Sequence, residues 1–312
     1  MRAGSGDSLA RLRQAIGAIE EAGAAEQGRG ARGAVGARMS GVSGVSEVSG
    51  VPGGTGREAV PTGWPAVDSA LAGGETGGGG LVRGVLHEWF GDGSEGGADV
   101  GRGGEVISSV GWAPPLCLLS HLAVCALSAG RHIGRQWAVW VGRACWPCPL
   151  TLVPGQVDPL ILRQSIFVDA SDTARRLWAV DLAARCSGVA AVVADGRGLD
   201  MAATRRLQLA ARAGGALLLA ARSSHEQKQL SAAATRWRVC SVVSETFRPR
   251  WHLELLRCKL GRRSRTPDGS ESWWLEWDGA ENRVRIPADV LYRPGLPAMA
   301  GKAGAEVVRR IG

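Results

Sequence analysis

The sequence predicts an α/β protein with a mostly parallel sheet, helices on both faces, and a strand-rich C-terminal extension. Two observations lead there. Between residues 61 and 240, short unbroken apolar runs alternate with helical segments. A parallel strand buried on both faces has that continuous apolar character, and helical crossovers of this length cover it. From 241 to 293 the texture changes to strand-like runs, "WHLELLRC", "SWWLEW" and "NRVRIP", separated by polar turns.

The elements follow in chain order. Residues 7–21, "DSLARLRQAIGAIEE", set Leu9, Leu12, Ile16 and Ile19 at helical spacing behind Asp7 and Ser8, so residues 1–21 contribute a short amphipathic helix. Residues 22–60, with "GVSGVSEVSGVPGGTG", lack either period and read as a flexible Gly/Ser-rich linker. Strands are expected at Val85–Phe90, Trp137–Val141, Ser165–Val168, Val189–Ala194 and Ala216–Ala221, with helices near 114–129, 171–186 and 199–213. After Pro294 the chain reads as a loose tail, 294–312.

Composition narrows the function classes. At 312 residues and 45% hydrophobic, the chain can form one large domain with appendages or two modest ones. There is no basic-then-apolar leader, and the longest apolar run (113–130) holds a His and two prolines. A soluble, intracellular protein without membrane attachment is expected. Seven cysteines do not suggest a disulfide framework, and "CWPC" (Cys145, Cys148) lacks the second pair of a zinc site, so it reads as a turn and no metal is expected. No Gly-x-Ser-x-Gly, His-Glu-x-x-His or close carboxylate set is present. His87 and His121, within apolar elements, read as structural.

A sheet of this kind binds ligands beyond the carboxyl ends of its strands. The glycine-rich loop 91–104, after the first core strand, lies at that edge. A phosphate loop also needs a lysine for the outer phosphates and a Ser or Thr hydroxyl for magnesium. No Gly-Lys-Ser/Thr occurs, and the three lysines, Lys228, Lys259 and Lys302, all come much later. Arg102 is too bulky for the ammonium's place. Asp92, Glu95 and Asp99 would repel a triphosphate. The expectation is a loop that does not hydrolyse ATP, no cofactor and no catalytic residue.

The charge distribution points to binding. Residues 222–265 carry eleven Arg/Lys against three acids, a net +8 equal to that of the whole chain. Arg236, Arg238, Arg248, Arg250, Arg257, Lys259, Arg262 and Arg263, with Trp251 among them, form a candidate surface for DNA or for an acidic protein. The alternation in "SWWLEW" puts Trp273, Leu275 and Trp277 on one strand face and Trp274 with Glu276 on the other; Trp274 is a candidate anchor for a partner. Arg205 and Arg206, on the helix in "TRRLQLAARAGG", read as solvated.

Several stretches resemble one known family. "PTGWPAVDSAL" (61–71) followed by "GGGGLVRGVLHEWFG" (77–91) resembles the opening of a RecA core, through Thr62, Gly63, Asp68, Leu71, Arg83, Gly84 and Glu88. "LWAVDLAARCSGVAAVVADGRGLDMAATRRLQLAARAGGALLLAAR" (177–222), the "LARLRQAI" helix and the basic segment 235–263 are similar to the ImuA-type branch. The resemblance spans roughly residues 60–265 and departs from the family at the phosphate loop. It implies a RecA-like core lacking Walker A, distantly related to the division inhibitor SulA. It also implies a non-catalytic role in error-prone translesion synthesis within an SOS-type response. The implied partners are an ImuB-like Y-family polymerase homologue, an error-prone replicative-type polymerase and RecA, in a cytoplasmic, nucleoid-associated setting; DNA enters only as one of the two partners that the basic segment would suit. Alternatives are a recombinase-like ATPase with a degenerate loop, or a SulA-like inhibitory binding protein. Asp195 ends "GVAAVVADG" where such ATPases place a magnesium-binding acid; without phosphates and hydroxyl it reads as a vestige in a turn. Gly142, Arg143 and Ala144 stand where the water-activating glutamate would be.

Overall fold

The computed structural model describes residues 10–21, 58–71, 79–91, 112–130, 133–147, 161, 163–242, 248–260, 271–281 and 283–287. Most of the loop 91–104, most of the linker, Cys148, Arg262, Arg263 and the tail lie outside them.

The architecture is α/β, with a mixed, largely parallel sheet and antiparallel C-terminal strands. Two short strands, β1 (Ala59–Val60) and β2 (Leu81–Val82), pair antiparallel beside the main sheet. That sheet contains β3 (Val85–Gly91), β4 (Trp137–Val141), β5 (Ser165–Val168), β6 (Val189–Asp195), β7 (Leu217–Ser223), β8 (Thr235–Val242), β9 (Arg250–Cys258), β10 (Ser272–Asp278) and β11 (Arg283–Arg285). Its order is β11-β10-β9-β8-β3-β7-β6-β4-β5. β3 is central, parallel to β7 on one side and β8 on the other. β9, β10 and β11 continue from β8 antiparallel. The boundary at residue 240 therefore falls inside β8, and one continuous sheet carries core and extension.

The helices form because their spacing and caps both favour it. α1 (residues 10–21) buries Leu12, Ile16 and Ile19. α2 (Pro65–Leu71) and α3 (Leu116–Gly130) follow. α4 (Thr173–Arg185) is capped by Asp172, whose side chain accepts from Arg175 N–H. α5 (Met201–Gly214) is capped by Asp200 accepting from Ala203 N–H, and ends at Gly215 in the left-handed region, φ 73°.

Two apolar cores lie on the two sides of the sheet. α2 and α3 pack over one side, onto Trp89, Trp140 and Leu219 and also onto the extension through Trp237, Leu253 and Leu275. α1, α4 and α5 pack over the other, onto Leu86, Val139, Val192 and Leu218. Trp64, just before α2, donates from Nε1 to Val284 O on β11 at 2.8 Å, tying the chain's early segment to its last strand. Arg83 in the β2–β3 turn is 4% exposed and donates to Ala190 O and Ala126 O, each at 2.8 Å. Burial presses its guanidinium pKa down to about 10, partly offset by Glu58.

Candidate functional site

Two ionic networks lie toward the carboxyl ends of the parallel strands, where a ligand is expected. The first centres on Glu88, fully buried on β3. Its carboxylate accepts from Arg222 Nη1 at 2.8 Å, Ser231 Oγ at 2.7 Å and Arg236 Nε at 2.8 Å. These partners come together because β7 and β8 flank β3, and their residues of matching parity face the same side. Arg222 also donates to Glu226 Oε1 at 3.2 Å, Gln229 Oε1 at 2.7 Å and Leu199 O at 2.8 Å. Burial opposes its charge, but Glu88 and Glu226 outweigh burial and hold its pKa above the ordinary value.

The second network surrounds Asp195 at the end of β6, 4% exposed. Oδ1 accepts from Arg197 N–H at 3.1 Å and Arg197 Nε at 3.0 Å, while Oδ2 accepts from Arg197 Nη2 at 2.7 Å. Arg176 Nη1 stands 3.7 Å from Oδ2. The bond to the backbone two residues on is the turn geometry expected of an Asp at a strand end. The hydrogen bond to Asp195 raises the Arg197 pKa, and the guanidinium lies 4.3 Å over the ring of Trp112. Trp112 donates in turn to Arg222 O at 2.9 Å, joining the two networks. Gly142 closes in from β4 with φ 88°, where an added Cβ would sit 2.9 Å from Asp195 Cβ. Cys145 is buried beside this group, and burial, then Asp195, pushes its thiol pKa well up. Arg143 faces solvent and pairs with Asp169 at 2.7 Å.

A divalent ion recruits a carboxylate whose lone pairs are open to it. In this structure both oxygens of Asp195 are engaged by the Arg197 guanidinium, which makes an ion-paired turn. Among the described residues, no group of three His, Cys, Asp or Glu side chains comes together to hold a metal ion.

The basic segment divides in two. Arg236, 7% exposed, belongs to the Glu88 network, and Trp251, 8% exposed, belongs to the core under α3. Both were expected at a binding surface and both are interior. Glu88 draws the first inward, and alternation with Leu253 and Leu255 turns the second toward the core. Arg257 is half-buried and donates to Ser231 O at 2.9 Å and Ala233 O at 3.3 Å, which makes it a brace between β9 and the β7–β8 connection. At the surface stand Arg238, paired with Glu254, Arg248 and Arg250, both paired with Glu276, and Lys259, near Ala232 O at 3.4 Å. Trp274 is half-buried against His252. Arg206 pairs with Asp181 on α4 at 3.2 Å.

The histidines have structural partners. His87 is bonded to Thr235 Oγ1 at 2.7 Å and Val82 O at 2.9 Å; burial depresses its pKa to about 4. His121 stacks on Trp64 at 5.1 Å and bonds Thr62 O at 2.8 Å. Sequence reasoning missed Arg197, whose place two residues after a strand-end Asp in "ADGRG" was the available signal. It also missed Arg222 as the buried partner of Glu88, for which a local stretch of sequence offers none.

No family model matches the chain, and no curated protein matches its sequence. Among solved structures, the crystal structure of the RadB recombinase is similar at 15% identity and a TM-score of 0.48, covering 73% of this chain and 99% of that one. No helix of the described residues is long and apolar enough to cross a membrane.

Proposed function

We propose that this chain is a RecA-like accessory protein of DNA damage tolerance that works by binding rather than by turning over nucleotide. In this reading it serves error-prone translesion synthesis with an ImuB-like Y-family polymerase homologue, an error-prone replicative-type polymerase and RecA, and contacts DNA. The resemblance of residues 60–265 to the ImuA-type branch supplies the protein partners. The observation that carries the non-catalytic part is the occupation of Asp195 by Arg197 and Arg176. The acid that would hold magnesium holds guanidinium instead, and the sequence lacks the lysine and hydroxyl that would grip the phosphates. What remains is a continuous sheet with cationic side chains along its extension, suited to docking.

The test has two arms. ATP turnover is measured on the purified chain with magnesium, alone and with RecA, and co-purification is measured from DNA-damaged cells. The expected result is no turnover above background and recovery of the polymerase homologues. Magnesium-dependent hydrolysis abolished by Asp195→Asn would establish an ATPase and overturn the reading. Clean absence of both polymerases would remove the translesion role in favour of an inhibitory binder.

A further inference from the structure

The antiparallel half of the sheet has two unlike faces. One faces the core under α2 and α3, through Trp237, Leu253, Leu275 and Val284. The other contributes no residue to either apolar core among the described residues. By register it carries Arg238 on β8, Arg250, His252 and Glu254 on β9, and Trp274 and Glu276 on β10. An antiparallel sheet can keep one side to water, so this face needs no cover for stability.

Its charge is layered. The side chains of Glu276 and Asp278 are 4% and 7% exposed, whereas Arg248 and Arg285 beside them are 48% and 41% exposed. Glu276 is approached by Arg250 Nε at 2.6 Å, Arg248 Nη1 at 3.3 Å and Arg285 Nη2 at 3.6 Å; Arg285 also reaches Asp278 at 2.9 Å. Three guanidiniums over two carboxylates leave one net positive charge. Because the acids lie beneath, an approaching group meets cation first. Alongside, Trp274 and His252 pack with ring centroids 5.1 Å apart, both half-buried. A partly open indole next to guanidiniums on one sheet face matches the chemistry of an unpaired base and its phosphates. A duplex offers its phosphates but hides the base faces an indole needs.

We propose that this open face binds single-stranded nucleic acid, with Arg248 and Arg285 at phosphates, Trp274 against a base, and Arg250 holding Glu276 below. The proposal rests on the accessory function above for its DNA contact, and gives that contact a place.

The experiment is a fluorescence anisotropy titration of the full chain with a labelled oligothymidylate, repeated across a salt series and against a duplex competitor. Each phosphate neutralised on a single strand contributes about −0.7 to the slope of log K against log salt. Arg248→Gln combined with Arg285→Gln is expected to flatten that slope by about 1.4. Trp274→Ala is expected to weaken binding about tenfold and leave the slope unchanged. Glutamine replaces arginine here, and Arg250 is kept, because a reversed charge would sit against buried Glu276; thermal melting checks that the variants remain folded. No binding at low salt, or affinity and slope indifferent to these changes, overturns the proposal. Loss of polymerase capture in the same variants, without oligonucleotide binding, would assign the face to an acidic protein instead. A silent titration with intact co-purification sinks this face and leaves the accessory role standing.

Discussion

Glu88→Ala is the substitution that most directly probes how the sheet is held together. The carboxylate is fully buried and accepts from two guanidiniums and a serine hydroxyl, all within 2.8 Å. Among the described residues, its removal leaves Glu226 as the only anion bonded to Arg222, and leaves Arg236 with the carbonyls of Gln227 and Glu226. Breaking a buried pair by deleting one partner costs about 3–5 kcal/mol, since the stranded charge cannot regain water. Domains are stable by only about 5–15 kcal/mol, so a large share of the total is lost. At about 2–4 °C per kcal/mol for a fold of this size, the melting temperature should fall by roughly 6–20 °C. The assay is urea unfolding followed by tryptophan fluorescence, run on Glu88→Ala, and on Glu88→Met, Arg222→Met and their double variant. The double variant should cost less than the sum of the singles by at least about 1 kcal/mol, because the second change removes the charge stranded by the first. A loss below about 1 kcal/mol for Glu88→Ala, or strict additivity, would refute the claim that this network is a buried ionic unit.

Other expectations follow the same reasoning. Arg236→Gln should cost about 2–3 kcal/mol, whereas Arg238→Gln, whose side chain is 43% exposed, should cost less than about 1 kcal/mol, both read from urea midpoints. Acid should destabilise the fold through His87: its pKa falls from 6.5 to about 4 on folding. The unfolded state then binds the extra proton between those values, so stability is full above about pH 6.5 and is lost as pH falls toward 4, by up to about 3 kcal/mol from this group. His121, lowered by burial as well, acts in the same direction, and melting temperatures across that range check both. Gly142→Ala should lower stability by about 1–3 kcal/mol, since φ 88° disfavours a side chain and the new methyl meets Asp195; an unchanged melting temperature would contradict this.

Much of the parallel half was legible in the sequence. Five strands were placed within two residues by their short unbroken apolar runs, and the helices expected near 171–186 and 199–213 are α4 and α5. β8 was the harder case. "TRWRVCSV" alternates as a half-buried strand does, but its arginines drew it into a cation cluster, and nothing local shows that Arg236 turns toward a glutamate 148 residues earlier. The charge count also took no account of acids outside the stretch: Glu88 pairs with Arg222 and Arg236, and Glu276 with Arg248 and Arg250. Trp251 could have been placed correctly, since its alternation with Leu253 and Leu255 marks a core face.

The central position of β3 also sets the order of events during synthesis. Both neighbours of this strand are made more than a hundred residues after it, and the cations for Glu88 come with them. Until about residue 222 has emerged Glu88 has no counterion, and one edge of β3 stays open until about residue 240. Folding therefore waits on late, long-range pairing, which is slow and prone to association between nascent chains. A chain stopped before β7 should stay unfolded, and the ribosome-bound intermediate is where a chaperone would matter most.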